Sequence, residues 1–292
     1  MPESRADARR DDRFPFGANW RSFIELIDET RITAAIRALL DPLEAVDLTD
    51  RTFLDVGCGS GLFSLAAHRL GARVRSFDFD PDSVAATAEL RRRFAPDSDW
   101  DIEQGSILDE RFVERLGTFD IVYSWGVLHH TGDLWGAMNA TSCLVARGGL
   151  LYISVYNDQG PQSRMWWHVK RRYNRSGPLA RRVLLVGSTA YLARHAPLRR
   201  LLRAASTGAG ALDRRVRPRG MSVRHDLVDW VGGFPFEVAK PEAVFTFLRA
   251  RGFELRYLTT CGGGLGCNEY VFENRDHPTF GHRPNFRSSS SR

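Results

Sequence analysis

Leu54-Asp55-Val56-Gly57-Cys58-Gly59-Ser60-Gly61 closes a short apolar strand, Thr52 to Val56, with three glycines before the helical pattern Leu62, Phe63, Leu65, Ala66 and Leu70 begins. Glycines at a strand-to-helix turn let backbone N–H groups approach a ligand closely and aim a helix N-terminus at it. A turn that only packs helix on strand has the same pattern, so a second mark is needed. Asp78 supplies one. It ends the next strand, Arg73 to Phe77, 17 residues past Gly61, where a carboxylate can accept both hydroxyl hydrogens of a ribose. A helix cap beside Pro81 is the plainer role for Asp78, but Asp80 is better placed for it.

Outward from this turn the unit repeats. Pro81 opens a helix running to about Phe94, Trp100 to Gln104 and Phe119 to Ser124 are predicted strands, and Leu150, Leu151, Ile153, Val155 and Tyr156 make Gly149 to Tyr156 a nearly continuous apolar run. Five strands alternating with helices predict an α/β fold with a parallel sheet covered on both faces. Upstream, Phe23, Ile24, Leu26 and Ile27, then Ile32, Ala35, Ile36, Leu39 and Leu40, predict one or two helices ending before Pro42. Downstream, Pro241 to Arg251 predicts a helix stopped by Gly252. Phe253 to Thr260 and Asn268 to Glu273 follow as two strands around the glycine-rich loop Cys261 to Cys267, a connection suited to an antiparallel hairpin. The expected organisation is a helical cap over 1–50, a core over 51–156, a helical insert over 157–239, a helix and strand pair completing the core over 240–275, and a tail over 276–292.

With these residues in place the chain resembles the class I S-adenosylmethionine-dependent methyltransferases, specifically the small-molecule O-methyltransferases of ubiquinone biosynthesis. The resemblance covers about Phe14 to Glu273 apart from the insert. Four elements carry it in order: Leu54 to Gly61, Phe77-Asp78-Phe79-Asp80, Gln104-Gly105-Ser106-Ile107-Leu108, and Phe119 to His130. It implies a doubly wound, seven-stranded, mostly parallel Rossmann-like sheet with the seventh strand between the fifth and sixth. It also implies S-adenosylmethionine as cofactor, held by Asp55, Gly57, Gly59, Gly61, Asp78, Phe79, Ser106, Ile107 and Trp125. Ser106 stands where many members carry an Asp that hydrogen-bonds the adenine amino group, which leaves that contact to Ser106 and the Ile107 amide. A nicotinamide dehydrogenase also needs a glycine turn and a ribose carboxylate. Here, however, the turn is G-C-G-S-G rather than G-x-G-x-x-G, and Leu128-His129-His130 suits a methyltransferase better.

Methyl transfer from a sulfonium to an oxygen requires the acceptor to be held in line and its proton removed. The fourth strand ends in Tyr123-Ser124-Trp125-Gly126 rather than the Asn/Asp-Pro-Pro-aromatic grip on amino groups. Oxygen is therefore the first choice of acceptor, with carbon and nitrogen open. His129 and His130 follow that strand, and adjacent positions do not share a helix face, so at most one is expected to point in. His225, in the stretch Arg224 to Glu237 with its three acids, three aromatics and Gly232-Gly233, is the preferred base, at the edge of a lid. Tyr156, Asn157, Trp230 and Asn268 are candidate substrate contacts, with local loop anchoring as the plainer role for the asparagines. A metal site from His130, Asp158, His225 and Glu269 has little support from its scattered spacing.

The net charge of +6 is unevenly spread: between Asn157 and Arg224, 68 residues, stand 16 Lys and Arg against Asp158 and Asp213, a net of +14, which leaves −8 on the other 224. Arg164, Trp166, Trp167, Lys170, Arg171, Arg172 and Tyr173 mix cations with aromatics, which could stack bases, but no RNA-binding signature accompanies them. Leu179, Val183, Leu184, Val186 and Leu192, with Arg181, Arg182, Arg194, Arg199, Arg200 and Arg203, suggest amphipathic helices that cap a site, dimerise or lie on an anionic membrane. A substrate lid is the most economical assignment, and its charge points to an anionic or lipid-like small-molecule acceptor. An RNA methyltransferase and a non-catalytic cofactor-binding or membrane-surface module are the alternatives. Four cysteines without C-x-x-C spacing, no apolar run near the roughly 20 residues a spanning helix needs, and no secretory signal pattern predict a cytoplasmic protein with frayed ends.

Overall fold

The structure, a computed structural model, describes residues 13–193 and 219–276. Five parallel strands, β1 (Thr52–Val56), β2 (Arg73–Asp78), β3 (Asp101–Gln104), β4 (Phe119–Trp125) and β5 (Val145–Tyr156), join antiparallel β6 (Phe253–Thr259) and β7 (Cys267–Asn274) in the order β3-β2-β1-β4-β5-β7-β6. β7 lies between β5 and β6, as expected. Strand residues alternate between the two faces. Phe53 packs with Phe23, Leu39, Leu65 and Tyr123 on one side, and Leu54 and Val56 pack with Phe112, Leu128, Met138 and Leu248 on the other. Helices α2 (Glu29–Leu43), α3 (Leu62–Arg69) and α4 (Pro81–Phe94) contribute to the first face, and α5 (Glu110–Leu116), α6 (Leu134–Cys143) and the late helix Pro241–Arg249 to the second. A sheet buried on both faces requires near-continuous apolar strands, which is why Leu151 to Val155 read so clearly.

The chain leaves β1 outward through β2 and β3, then returns to β4 on the other side of β1. This reversal opens a crevice at the carboxyl ends of the strands, where Asp55, Asp78, Trp125 and Tyr156 stand. α1 (Phe16–Phe23) lies over that edge, held by the Gly17 N–H on the Asp80 carboxylate at 2.8 Å. After β5 come α7 (Pro161–Asn174), α8 (Pro178–Ala193) and, beyond residue 218, α9 (Val223–Gly232); the late helix Pro241–Arg249 is α10. Arg194, Arg199, Arg200 and Arg203, the start of the chain to residue 12 and the tail from 277 lie outside the described residues.

Several boundaries differ from expectation, and two of the differences have a local cause. α2 continues through Pro42 to Leu43, because a proline in the last turn removes one backbone bond without a following turn to break. β5 begins at Val145, four residues early. Phe119 pairs Val145 before a register shift to Ile121 opposite Leu150, and Arg147-Gly148-Gly149 in that irregular stretch hides the strand from a periodicity reading. The cation–aromatic mixture of α7 is also turned differently from a base-stacking surface. Trp166, Lys170 and Tyr173 are buried against the core.

Gly61 precedes α3 with φ of 76°, and a Cβ there would come within 2.8 Å of Thr87 Cγ2. Gly61→Ala is expected to cost about 1–3 kcal/mol through the left-handed backbone and the clash, read as a lowered midpoint in urea unfolding; an unchanged midpoint would contradict this packing.

Candidate functional site

Gly57, Gly59 and Gly61 all sit at left-handed φ, of 77°, 57° and 76°. The alternation coils the chain after β1 so that the Gly57 and Cys58 N–H groups reach the Phe77 carbonyl at 2.9 and 3.1 Å. It also places the Gly59 N–H on Asp78 Oδ2 at 3.0 Å. Asp78 Oδ1 accepts the Asp80 N–H at 2.9 Å, and burial pushes the Asp78 carboxyl up to about 6. Asp80, not Asp78, caps α4, its side chain accepting the Asp82 N–H. The turn, Asp78, Phe79, Ser106, Ile107 and Trp125 line one end of a crevice of about 1230 Å³. Phe79 is half exposed at its rim, and Ser106 Oγ accepts the Leu108 N–H at 3.2 Å. Gly61 is the exception among the expected residues, since it packs α3 on Thr87 and does not line the crevice.

Asp55 lines the crevice floor. It accepts Ser64 Oγ at 2.5 Å; Ser64 in turn lies 2.8 Å from Ser76 Oγ, and the Trp100 indole donates to Ser76 at 2.7 Å. This chain of bonds reaches one carboxylate oxygen only. Burial dominates and pushes the Asp55 carboxyl up to about 7, with Ser64 opposing and the charge of Asp78 adding to the rise. Trp20, on α1, backs the turn: a Cβ on Gly59 would meet its Nε1 at 2.9 Å.

The other end is walled by Phe14, Phe16, His130, Tyr156, Trp230 and Phe234. His130 Nδ1 lies 2.6 Å from the Pro235 carbonyl, which can only accept, so Nδ1 carries the hydrogen and Nε2 is left as the acceptor. Burial first, then Lys170, pushes the His130 imidazole down to about 3. His129 is fully buried behind it, with Nδ1 3.4 Å from the Tyr156 N–H. One histidine of the pair faces in, as helix geometry predicts.

His225 does not line the crevice. On α9 the stripe Val223, Asp226, Leu227 and Trp230 faces in, while His225 turns towards α1. Its Nε2 lies 2.7 Å from Ser22 Oγ and its Nδ1 3.0 Å from Ser222 Oγ. The preferred base therefore becomes a buried bridge between α1 and α9, and Asp226 and Asp229 of the same stretch reach the crevice instead. Asn157 and Asn268 are also displaced from a substrate role. Asn268 donates to Asn157 Oδ1 at 3.1 Å and accepts the Cys261 N–H at 3.1 Å, which anchors the glycine-rich loop between β6 and β7. His130, Asp158, His225 and Glu269 are not brought together as a metal cluster among the described residues.

Sequence reading missed Arg219, which lines the crevice, and named Lys170, which does not, only within a cation–aromatic mixture. Lys170 Nζ donates to the Trp230 carbonyl and sits 4.7 Å from the Trp230 and Phe236 ring centres, and burial pushes its ammonium down to about 7. Arg219 lies 3.7 Å from the Trp125 ring centre on the crevice wall. Neither could be told apart by sequence from the other cations of the insert.

A family model described as "Methyltransferase domain" matches residues 27–183, more than half of the chain. The chain belongs to this methyltransferase family. Among curated relatives, "Ubiquinone biosynthesis O-methyltransferase" of Brucella melitensis is 33% identical over 117 residues, 40% of this chain and 46% of the relative. Its namesake in Methylocella silvestris is 34% identical over 116 residues, 40% of this chain and 42% of the relative. The chain thus spans less than half the length of the curated relatives it matches. A solved magnesium protoporphyrin IX methyltransferase from Synechocystis PCC 6803, with bound SAH, aligns at a TM-score of 0.49 and 12% identity over 84% of this chain and 82% of that one. The methyltransferase match covers the glycine turn, Asp78, Ser106 and His130, and leaves Arg219 and all of α9 outside it.

Because burial raises Asp55 to about 7, the folded protein holds a proton that the unfolded chain releases near 4, so folding stability falls as pH rises between those values. Asp55→Asn removes that loss. The variant should exceed the parent by about 1–3 kcal/mol in urea unfolding at pH 8, with the difference vanishing near pH 4; a gain independent of pH would contradict the assignment.

Proposed function

We propose that this protein transfers a methyl group from S-adenosylmethionine to a hydroxyl oxygen of a small-molecule acceptor. The observation that carries the reading is one crevice with a glycine-turn end at Asp78 and an aromatic end at His130 and Trp230. The residues present fit the cofactor. A Cβ at Gly57 would strike Val127 and one at Gly59 the Trp20 indole, so the turn lines the crevice with bare backbone, and Asp78 keeps acceptor capacity for a ribose diol beyond its two amide contacts. Asp78 would hold the ribose, Ser106 and the Ile107 N–H the adenine, Asp55 and the Gly57–Gly59 backbone the amino-acid end, with Phe79 and Trp125 as walls. When bound, S-adenosylmethionine supplies an electrophilic sulfonium methyl.

The chain's own groups align and deprotonate the acceptor. His130 is neutral across the working pH range, so its Nε2 accepts a hydrogen bond from the hydroxyl and aims the oxygen. Asp229 lines the same wall, with Oδ1 fixed by Asn19 Nδ2 at 2.8 Å. Burial, then Asp226, holds its carboxyl well above the usual carboxylate range, which suits a proton acceptor for a phenolic oxygen. Tyr156, Trp230, Phe14 and Phe16 provide flat apolar walls for a ring and exclude water. The RNA alternative is not favoured, since the aromatics of α7 that would stack bases are largely buried.

Calorimetry with S-adenosylhomocysteine is expected to give binding that Asp78→Ala weakens at least tenfold, the scale of a lost charge-assisted contact of about 1.5–3 kcal/mol. With a deuterated methyl donor and host extract, mass spectrometry should find a labelled product that His130→Ala diminishes at unchanged S-adenosylhomocysteine affinity. No binding by the wild type would sink the reading.

A lipid-like acceptor, delivered from an anionic membrane surface, has separate support. Leu179, Val183 and Val186, at i, i+4 and i+7 of α8, are 76%, 65% and 69% exposed in the most cationic part of the chain. Thr189 and Leu192 of the same helix line the crevice. The four free cysteines agree with a cytoplasmic face, and among the described residues no helix is long and apolar enough to cross a membrane. Flotation with phosphatidylglycerol vesicles should retain the protein, phosphatidylcholine vesicles should not, and Val183→Glu with Val186→Glu should release it. Equal flotation of the double variant would remove this reading.

A further inference from the structure

Arg219 is a buried cation whose partners do not complete it. Its side chain is 15% exposed. The guanidinium lies 3.7 Å from the Trp125 ring centre and 4.3 Å from that of Phe63. Nη2 donates to the Tyr123 hydroxyl at 2.5 Å. Nη1 is 3.5 Å from the Tyr152 hydroxyl and 3.7 Å from Glu269 Oε2, an oxygen already taken by Tyr152 at 2.7 Å. Nε is buried without a partner among the described residues. A guanidinium carries five donors in a planar fork that suits a carboxylate held by two parallel bonds. A structural arginine in this same sheet does use its fork on a carboxylate: Arg75 sets both Nε and Nη2 on one oxygen, Glu103 Oε1, at 3.1 and 2.7 Å. Leaving a desolvated fork half used costs stability, which argues for a ligand that completes it.

The surroundings identify that ligand's chemistry. Tyr123, which holds Arg219, pairs in register with Asp55 across β1 and β4, so the two side chains stand side by side on one face of the sheet. Asp55 and Arg219 both line the crevice floor, and no ion pair joins them. A carboxylate and a guanidinium on adjacent strands, each with uncommitted bonding capacity, match the ammonium and carboxylate of an α-amino acid. Arg219 is fixed in place because the buried Arg31 donates to the next residue's carbonyl, Gly220 O, at 2.8 Å.

We propose that Arg219 binds the α-carboxylate of the cofactor's amino-acid end while Asp55 receives its α-ammonium, forming a zwitterion clamp beside Trp125. The inference rests on the cofactor reading above. It assigns the clamp's cation to the return of the insert, beyond the segment matched by the family model.

The test compares S-adenosylhomocysteine with its decarboxylated analogue by calorimetry on the full chain, for wild type, Arg219→Leu and Arg219→Lys. Wild type is expected to bind the carboxylate-bearing ligand about 10–100-fold more tightly, the scale of charge-assisted bonds to a buried cation. In Arg219→Leu the ratio should collapse to within about twofold by loss of the acid-bearing ligand alone, the coupling that a double-mutant cycle isolates. Arg219→Lys, which keeps the charge but not the fork, should give an intermediate ratio and decides the matter if the Leu variant does not fold. A ratio near one in wild type, or an unchanged ratio in the variants, overturns the clamp. Failure of wild type to bind S-adenosylhomocysteine at all overturns the cofactor reading instead, so the two failures are distinct.

Discussion

The hydrogen bond from the Gly59 N–H to the Asp78 carboxylate ties the turn after β1 to the end of β2, and the crevice is assembled around it. Only a chain in the left-handed region can bring that amide to Asp78 while its neighbours, Gly57 and Cys58, reach the Phe77 carbonyl. The same coil starts α3 where Ser64 meets Asp55, and two residues past Asp78 the cap of α4 holds α1 through Gly17. One backbone constraint thus positions the floor, the rim and the covering helix together.

The crevice is costly to maintain. Asp55, Asp78 and Asp229 are raised, and His130 lowered, all first by burial, so the charged form of each is disfavoured without a ligand. Such groups are poorly suited to holding a sheet together and well suited to meeting ammonium, hydroxyl and carboxylate groups of ligands. The fold's stability comes from elsewhere, in the two apolar layers flanking β1, β4 and β5.

Much of the architecture was legible because it depends on local patterns. Apolar runs of the right length gave the strands, Gly57-Cys58-Gly59-Ser60-Gly61 the turn, Asp80 before Pro81 the cap, and the late strand pair the antiparallel edge. The misread site residues share one physical cause: they depend on which way a side chain faces once helices and strands pack. His225 and Asp226 are neighbours on one amphipathic helix, and a rotation of about 100° per residue separates the serine-bound imidazole from the carboxylate at the crevice. Asn157 and Asn268 look like ligand contacts in a one-dimensional reading, and they bond each other only because β5 and β7 lie side by side.

The sequence by itself determined the alternation of strands and helices, the glycine turn and the acid that follows it, since strand periodicity, left-handed backbone and helix capping act over a few residues. Tertiary structure alone decided which histidine faces the crevice, that Lys170 is enclosed by aromatic rings, and that Arg219 meets Tyr123 from 96 positions away. Burial and charge pairing act through space. A cation that is one of 16 along the insert acquires its distinct role only where strand and helix bring Trp125 and Phe63 against it, in the crevice that Asp55 also lines.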